Sequence, residues 1–591
     1  MAVIGRGGEW LLQASKPGDV FTPERLTDEH RLIAQTVRDF VKSEVLPAIE
    51  RLEQKDWALA RRRVARCGEL GLLGVDVPEA YGGVQLDKVS SMIVSEHMSI
   101  AASFGATFGA HANLVILPLA LFGTDAQKRK YLPKLMTGEM LGAYCLSESG
   151  SGSDALGAKT KAIRQPDGSF VLNGEKMWIT NGGFADVFII FAKVVDSQGE
   201  HFTAFIVERA SPGVSSGKEE RKMGLHGSST TPVVLQDVRV PAENVLGEIG
   251  KGHKIAFNVL NFARFKLGAM CGGGARGAIA EAASYAADRR QFGQPIAAFG
   301  AIKHKLGEMV VRTYAVESAI YRTAGLIDAR ISASAKKDDD PQAQLAAFEE
   351  YAIEASIVKV AGSETVDFVL DENIQVHGGN GYVRDYPAER HYRDSRVNRI
   401  FEGTNEINRL LIPGMLAKRA LKGDLPLIAA AKALQDELLG PPALAGTDDS
   451  FLGEERRTVE NLKKAALMVF GLAMKTYGQK LTEEQEVLMH VADMLIDVYA
   501  ADSALLRAIA ASEARHPRAD LHADAARAFV SDAAMRLEAS GRQAIAAMAE
   551  GDTLRTMLTA LRRLFRALPA NTTALRRHLA DEAVRRRGYI F

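Results

Sequence analysis

The sequence predicts a mainly α-helical protein carrying one small antiparallel β domain. Apolar residues recur at helical spacing up to about residue 140 and again after Gly252. Between about 157 and 247 they alternate or run in short β-branched stretches. The length, 591 residues, exceeds what one hydrophobic core supports, so several domains are expected.

The first helix is read from Ile33, Val37, Phe40, Val41 and Val45, with Thr27 placed to cap its start. Further helix-like segments rich in Leu, Ala and Met follow. The β texture is carried by FVLNG, FIIFAKVV, FTAFIVE and PVVLQDVRV, with Asn173-Gly174 and Asn181-Gly182 as hairpin-type turns. After Gly252 helices continue to the end. They are interrupted by SASAKKDDDP (332–341), an expected exposed loop, and by the linker GPPALAGTDDS (440–450). No internal repeat is evident.

Composition narrows the function. Lys plus Arg is 73 and Asp plus Glu is 73, and a net charge of zero argues against nucleic-acid binding by the whole protein. Cys67, Cys145 and Cys271 are too few and too scattered for a disulfide framework or a metal site, which points to a reducing compartment. The N-terminus lacks a secretory signal, and no run of uncharged apolar residues long enough to span a bilayer is expected.

Few segments carry chemistry on their own. Gly150-Ser-Gly-Ser-Asp154 lets backbone amides approach an anion or a planar ring, or is simply a flexible interdomain turn. Gly272-x-Gly274-x-x-Gly277 matches the dinucleotide fingerprint in form only. It lies in a helical pattern with no preceding strand, so close helix packing is the reading. Gln375 to Gly381 is a glycine-rich turn between helices, and Glu402 stands just before a helix that Thr404 can cap.

Taken together, AYCLSESGSGSD (143–154), KMWITNGG (176–183), RRQFGQPI (289–296), QVHGGNGY (375–382) and IFEGTNEINR (400–409) closely resemble the acyl-CoA dehydrogenase family. The resemblance covers roughly residues 25 to 420. The long C-terminal block and LNFARF (260–265) look like the very-long-chain branch. The fold implied is a helical domain (1–142), a middle β-barrel domain (143–252) and a four-helix bundle (253–437). A linker (438–453) and a C-terminal helical domain (454–591) follow.

The resemblance implies FAD as cofactor, an acyl-CoA substrate, a homodimer, and an electron-transferring flavoprotein as acceptor. A cytoplasmic enzyme of fatty acid β-oxidation is implied if the source is bacterial. Tyr144, Leu146, Ser147 and Ser153 would contact the flavin, and Trp178 and Thr180 would wall its ring. Arg289, Gln291 and Phe292 would reach the pyrophosphate and adenine from a neighbouring subunit, opposite Gln375, His377, Gly378 and Gly379. Thr404, Asn405 and Glu406 would touch the cofactor at the helix start.

Glu402 would be the base that removes the α-proton, and Gly403 would admit the thioester. Ser153 would also meet substrate, and Asn261, Phe262, Ala263 and Arg264 would hold the CoA portion. Some relatives place their base at the position of Ala263, which here cannot act. Gly105, Ala106, Gly109 and Ala110 either deepen the acyl slot for long chains or are close helix contacts. Two departures stand out: Glu148-Ser149-Gly150 replaces the usual Glu-Pro-Gly, and His377 replaces an apolar residue. An oxidase using oxygen and a flavoprotein assisting respiratory-complex assembly are the alternatives. The nine arginines of 555–587, against two acids, either serve the fold or meet a membrane surface. DLPLIAAAKALQDELL (424–439) is a second such surface candidate.

Overall fold

The computed structural model describes residues 5–334, 340–440, 450–566 and 569–591. The first helical region comprises α1 (Asp28–Phe40), α2 (Ile49–Glu53), α3 (Trp57–Glu69) and α4 (Lys88–Met98), then α5 (Ala102–His111), α6 (Leu117–Phe122) and α7 (Asp125–Met136). Thr27 caps α1 as expected. Its hydroxyl accepts from the His30 amide while the His30 ring accepts from the Thr27 amide, satisfying two donors at once. The continuous run Lys88–Phe122 is long and apolar enough to cross a membrane, contrary to the expectation from sequence. However, 83% of its most apolar window is buried inside the fold, so core packing accounts for it.

Eight strands follow: β1 (Gly142–Cys145), β2 (Lys161–Arg164), β3 (Phe170–Thr180), β4 (Val187–Asp196), β5 (Gly199–Glu208), β6 (Val214–Ser216), β7 (Thr230–Val240) and β8 (Val245–Leu246). Their order is β6-β7-β3-β2-β4-β5-β8, with β1 also on β4. The sheet is mixed rather than antiparallel, because β1 and β2 both pair with β4 in parallel. Asn173-Gly174 is not a turn. It lies inside β3, where the register slips by a bulge and Gly174 takes φ +154°, and the chain turns instead through Gly168. Asn181 does turn the chain, at φ 67°, but β2 lies between β3 and β4, so no hairpin forms there.

Strand β4 reads as an unbroken apolar run because both its faces are covered. Val187, Ile189 and Phe191 join the core shared with the N-terminal helices, whereas Phe188, Ile190 and Ala192 join the core inside the β domain.

The remaining helices are α8 (Gly252–Asp288), α9 (Gly300–Ser334), α10 (Pro341–Glu350), α11 (Ala352–His377), α12 (Ala388–Ser395), α13 (Asn405–Lys422) and α14 (Leu427–Leu439). The last five are α15 (Gly453–Tyr477), α16 (Gln485–Glu513), α17 (Ala519–Met548), α18 (Gly551–Leu564) and α19 (Thr572–Arg586). Helices α8, α9, α11 and α13 pack as a bundle. The expected loop at 332–341 starts later than predicted, since α9 runs to Ser334; 335–339 and the linker residues 441–449 lie outside the described residues. Gly272 to Gly277 sit inside α8, where a Cβ on Gly273 would come within 2.0 Å of the Glu96 carbonyl oxygen, so close packing explains that glycine.

One apolar core runs from the bundle into the C-terminal helices. Its polar seam is centred on Arg507, fully buried, which pairs with Glu24 at 2.6 Å and Glu317 at 2.7 Å and lies over the Tyr314 ring. The N-terminal segment is wedged alongside. Gly8 N and Trp10 Nε1 donate to Glu354 of α11 at 2.7 and 2.9 Å, and the Trp10 ring meets Tyr499 of α16. Several of the nine C-terminal arginines are held in ion pairs: Arg576 pairs with Glu308 and Asp532, Arg585 and Arg586 with Glu582, and Arg587 with Asp288. Leu561 and Leu564 of α18 are buried.

Candidate active site

The segment before α13 is locally strained. Glu402 has φ 58° and Gly403 φ 81°. Left-handed backbone costs a non-glycine residue roughly 1–3 kcal/mol and persists only where neighbours enforce it. Here they do: Arg264 Nε donates to the Glu402 carbonyl at 3.1 Å, and Lys359 Nζ and Asn408 Nδ2 donate to the Gly403 carbonyl at 2.7 and 2.9 Å. Thr404 then caps α13 through the Ile407 amide, as its position suggested. A Cβ on residue 403 would stand 3.2 Å from Asn408 and 3.4 Å from Arg264, on a backbone that disfavours it, so glycine is required.

The bend sets Glu402 against a cavity walled by α5, α8, α11 and α12, with Thr180 and Leu225 from the β domain. Protein surrounds the carboxyl on every side but that of the cavity. This burial pushes it up to about 7 against the opposing pull of Arg264 and Lys359. A base with that pKa works only when deprotonated, so kcat/KM should climb with pH through an apparent pKa near 7 and fall about tenfold per unit below it. A pH–rate profile flat between pH 5 and 8 would exclude this group as the titrating base. The Glu402 amide makes no hydrogen bond among the described residues and is free to donate to a developing oxyanion.

The walls facing the β domain suit a flat aromatic cofactor. Tyr144 is part-buried, packs on Phe191, and its buried hydroxyl has no hydrogen-bond partner among the described residues. Trp178, at φ 58°, leaves 57% of its surface open two residues before Thr180. An added Cβ on Gly150 or Gly152 would touch nothing, so the loop beside them is open to a ligand. A buried Lys176–Glu148 ion pair at 2.7 Å anchors that loop, and Lys176 also bonds the Leu146 carbonyl. The Ser147 carbonyl accepts from Met177, and Ser153 is exposed at the loop rim. An orphaned hydroxyl, an open indole and an open glycine loop fit a flavin.

The other expected residues divide. Ala263 lines the cavity, and Asn261 accepts from Arg264 at 3.1 Å. Phe262 lies in the core against Phe348, away from the cavity. Asn405 is buried, bonded to Lys359 and Glu364, and so holds the loop, while Glu406 faces solvent. Arg289, Gln291 and Phe292 are exposed at the far end of α8, roughly 37 Å from Arg264 by helical rise. Gln375, Gly378 and Gly379 are exposed at the end of α11; His377 is buried there, its Nδ1 on the Asn373 carbonyl and its ring stacked on Tyr285. Lys359 and Asn408, which hold the Glu402 bend, were missed. Nothing in their local sequence distinguishes a buried anchor from a solvated side chain.

Family models match the chain in four stretches: acyl-CoA dehydrogenase N-terminal domain (27–139), middle domain (143–238), C-terminal domain (250–416), and a second C-terminal domain of the same name (461–563). A probable acyl-CoA dehydrogenase of Bacillus subtilis is 48% identical over 585 residues, covering 98% of this chain and 97% of that protein. The human mitochondrial very long-chain specific acyl-CoA dehydrogenase is 37% identical, covering 80% of this chain and 72% of its own. Among solved structures, an acyl-CoA dehydrogenase from Bacillus anthracis complexed with FAD superposes with a TM-score of 0.96 at 48% identity, covering 99% of this chain and 100% of that one. Butyryl-CoA dehydrogenase from Megasphaera elsdenii gives 0.60 at 36%, covering 66% of this chain and 99% of its own.

Proposed function

This chain belongs to the acyl-CoA dehydrogenase family, FAD-dependent oxidoreductases of CH–CH groups, and on that premise we propose that it converts long-chain acyl-CoA to trans-2-enoyl-CoA with Glu402 as base. The observation that carries the assignment is the strained, part-buried Glu402, with its raised pKa, on the wall of an apolar cavity. Bound FAD supplies the acceptor for the β-hydride. Glu402 takes the α-proton, while its free backbone N–H donates to the thioester oxygen as negative charge builds there. Arg264, tied to the Glu402 carbonyl, holds the bend in register. Enclosure strengthens each of these interactions by excluding water.

Arg289 stands about 37 Å along α8 from Arg264, which holds the Glu402 bend, and so lies far from the flavin-facing wall of its own chain's cavity. The exposed Arg289 and Phe292 therefore support a second copy of the chain completing each flavin site, in a homodimer. Delivery of the electrons to an electron-transferring flavoprotein, in fatty acid β-oxidation, completes the reading.

Long chains are supported by the small residues of α5 on the cavity wall. Gly105 serves packing as well, since a Cβ there would meet the Met98 carbonyl at 3.1 Å. At Gly109 the nearest atom is Asn113 Nδ2 at 3.6 Å. Gly109→Leu should therefore lower kcat/KM for stearoyl-CoA relative to octanoyl-CoA by about tenfold or more. Anaerobic titration of the yellow protein tests the reaction itself. Long-chain thioesters should bleach the flavin, and no bleaching by any saturated acyl-CoA would sink the assignment.

A further inference from the structure

The cavity beside Glu402 does not end in hydrocarbon. Its α8 wall is a stripe at helical spacing from Ala263 to Glu281, about 27 Å of helix. At its far end stand three polar side chains, one from α8 and two from α12, with Asn373 of α11 behind them. Glu281 of α8 pairs with His391 Nδ1 of α12 at 3.1 Å and accepts from Asn373 Nδ2 of α11 at 3.0 Å. Asp394, one turn beyond His391, accepts from the Leu225 amide. Glu281, His391 and Asp394 all line the cavity. Burial pushes the Glu281 carboxyl up, but His391 and Asn373 more than offset this and hold it below the ordinary range. His391 Nε2 makes no hydrogen bond among the described residues.

This end is costly for a methyl group, which would strip water from an ion pair and return nothing. It suits a hydroxyl, which donates to the Glu281 carboxylate and can accept from the imidazole, leaving no polar group stranded. It disfavours a carboxylate, which would face Glu281 and Asp394. The reach is set by the helix: a zigzag hydrocarbon advances roughly 1.2 Å per bond, as an extended backbone does, so about twenty carbons span the distance from Glu402. Resting on the acyl-CoA reading above, we infer that Glu281 and His391 form a distal specificity site for long acyl chains bearing a terminal hydroxyl.

The test uses the flavin-loaded enzyme, a dye acceptor and three thioesters of matched length: docosanoyl-CoA, ω-hydroxydocosanoyl-CoA and the ω-carboxy analogue. Octanoyl-CoA, too short to reach Glu281, is the fourth probe. The hydroxy substrate should exceed docosanoyl-CoA in kcat/KM by about tenfold, and the carboxy analogue should fall below both. In Glu281→Leu/His391→Leu that ratio should collapse to near one. The isosteric Glu281→Gln, read the same way, serves if the double variant does not retain flavin. Equal use of docosanoyl-CoA and its hydroxy derivative by the wild type overturns the inference, as does a ratio unmoved in the variants. If neither octanoyl-CoA nor docosanoyl-CoA reduces the wild-type flavin, the dehydrogenase assignment itself has failed, a distinguishable result.

Discussion

Glu402→Gln is expected to lower turnover with a long-chain thioester by about 10²- to 10⁴-fold, the span over which a positioned general base contributes. The amide keeps the size and the bend, because Arg264, Lys359 and Asn408 grip backbone carbonyls rather than the carboxylate. Flavin content and thioester binding should therefore persist while bleaching slows, and the rise in kcat/KM near pH 7 should disappear. Stopped-flow reduction at several pH values measures both. Rapid bleaching by the variant would move the base elsewhere. The cavity offers a control: Ala263 lies beside the bend, so Ala263→Glu in the Glu402→Gln background should recover part of the lost rate.

Arg507→Met is expected to destabilise the fold by about 3–5 kcal/mol, because it strands Glu24 and Glu317 without their shared cation in a dry seam. Glu24, held at about 2 by Arg507 although burial opposes it, would then shift upward. The melting transition should fall by roughly 2–4 °C, since the entropy of unfolding scales with the length of the chain. Limited proteolysis should open within residues 12–26 before the bundle is cut. An unchanged melting temperature would mean that the seam is wet and the pairing worth little.

The helical and β regions were legible from periodicity, because both depend on which face of each element is buried. The strand pairing was not. The unbroken apolar run of β4 shows that it is covered on both faces, yet nothing local shows β1 and β2 running parallel beside it. Asn173-Gly174 misled because a dipeptide that tolerates φ > 0 serves a bulge as well as a turn. Glu402 drew its weight from companion motifs, whereas the features that shape its chemistry are tertiary. Its left-handed φ, and the grip of Lys359 and Arg264, come from helices distant in sequence. The arginine-rich tail was ambiguous for the same reason: Glu308, Asp532 and Asp288, its counter-charges, lie on other helices.

The wedge of Gly8, Trp10 and Glu24 between bundle and C-terminal helices carries a consequence in time rather than in space. Glu24 and Arg507 are 483 positions apart, so the ribosome releases the acid long before its partner exists. At about 5–20 residues per second, that interval is roughly half a minute or more. Until then the segment has an indole and a carboxylate but no groove. A segment made early relative to its partners is thus among the last to find its place, and anything that slows synthesis near residue 500 prolongs its exposure.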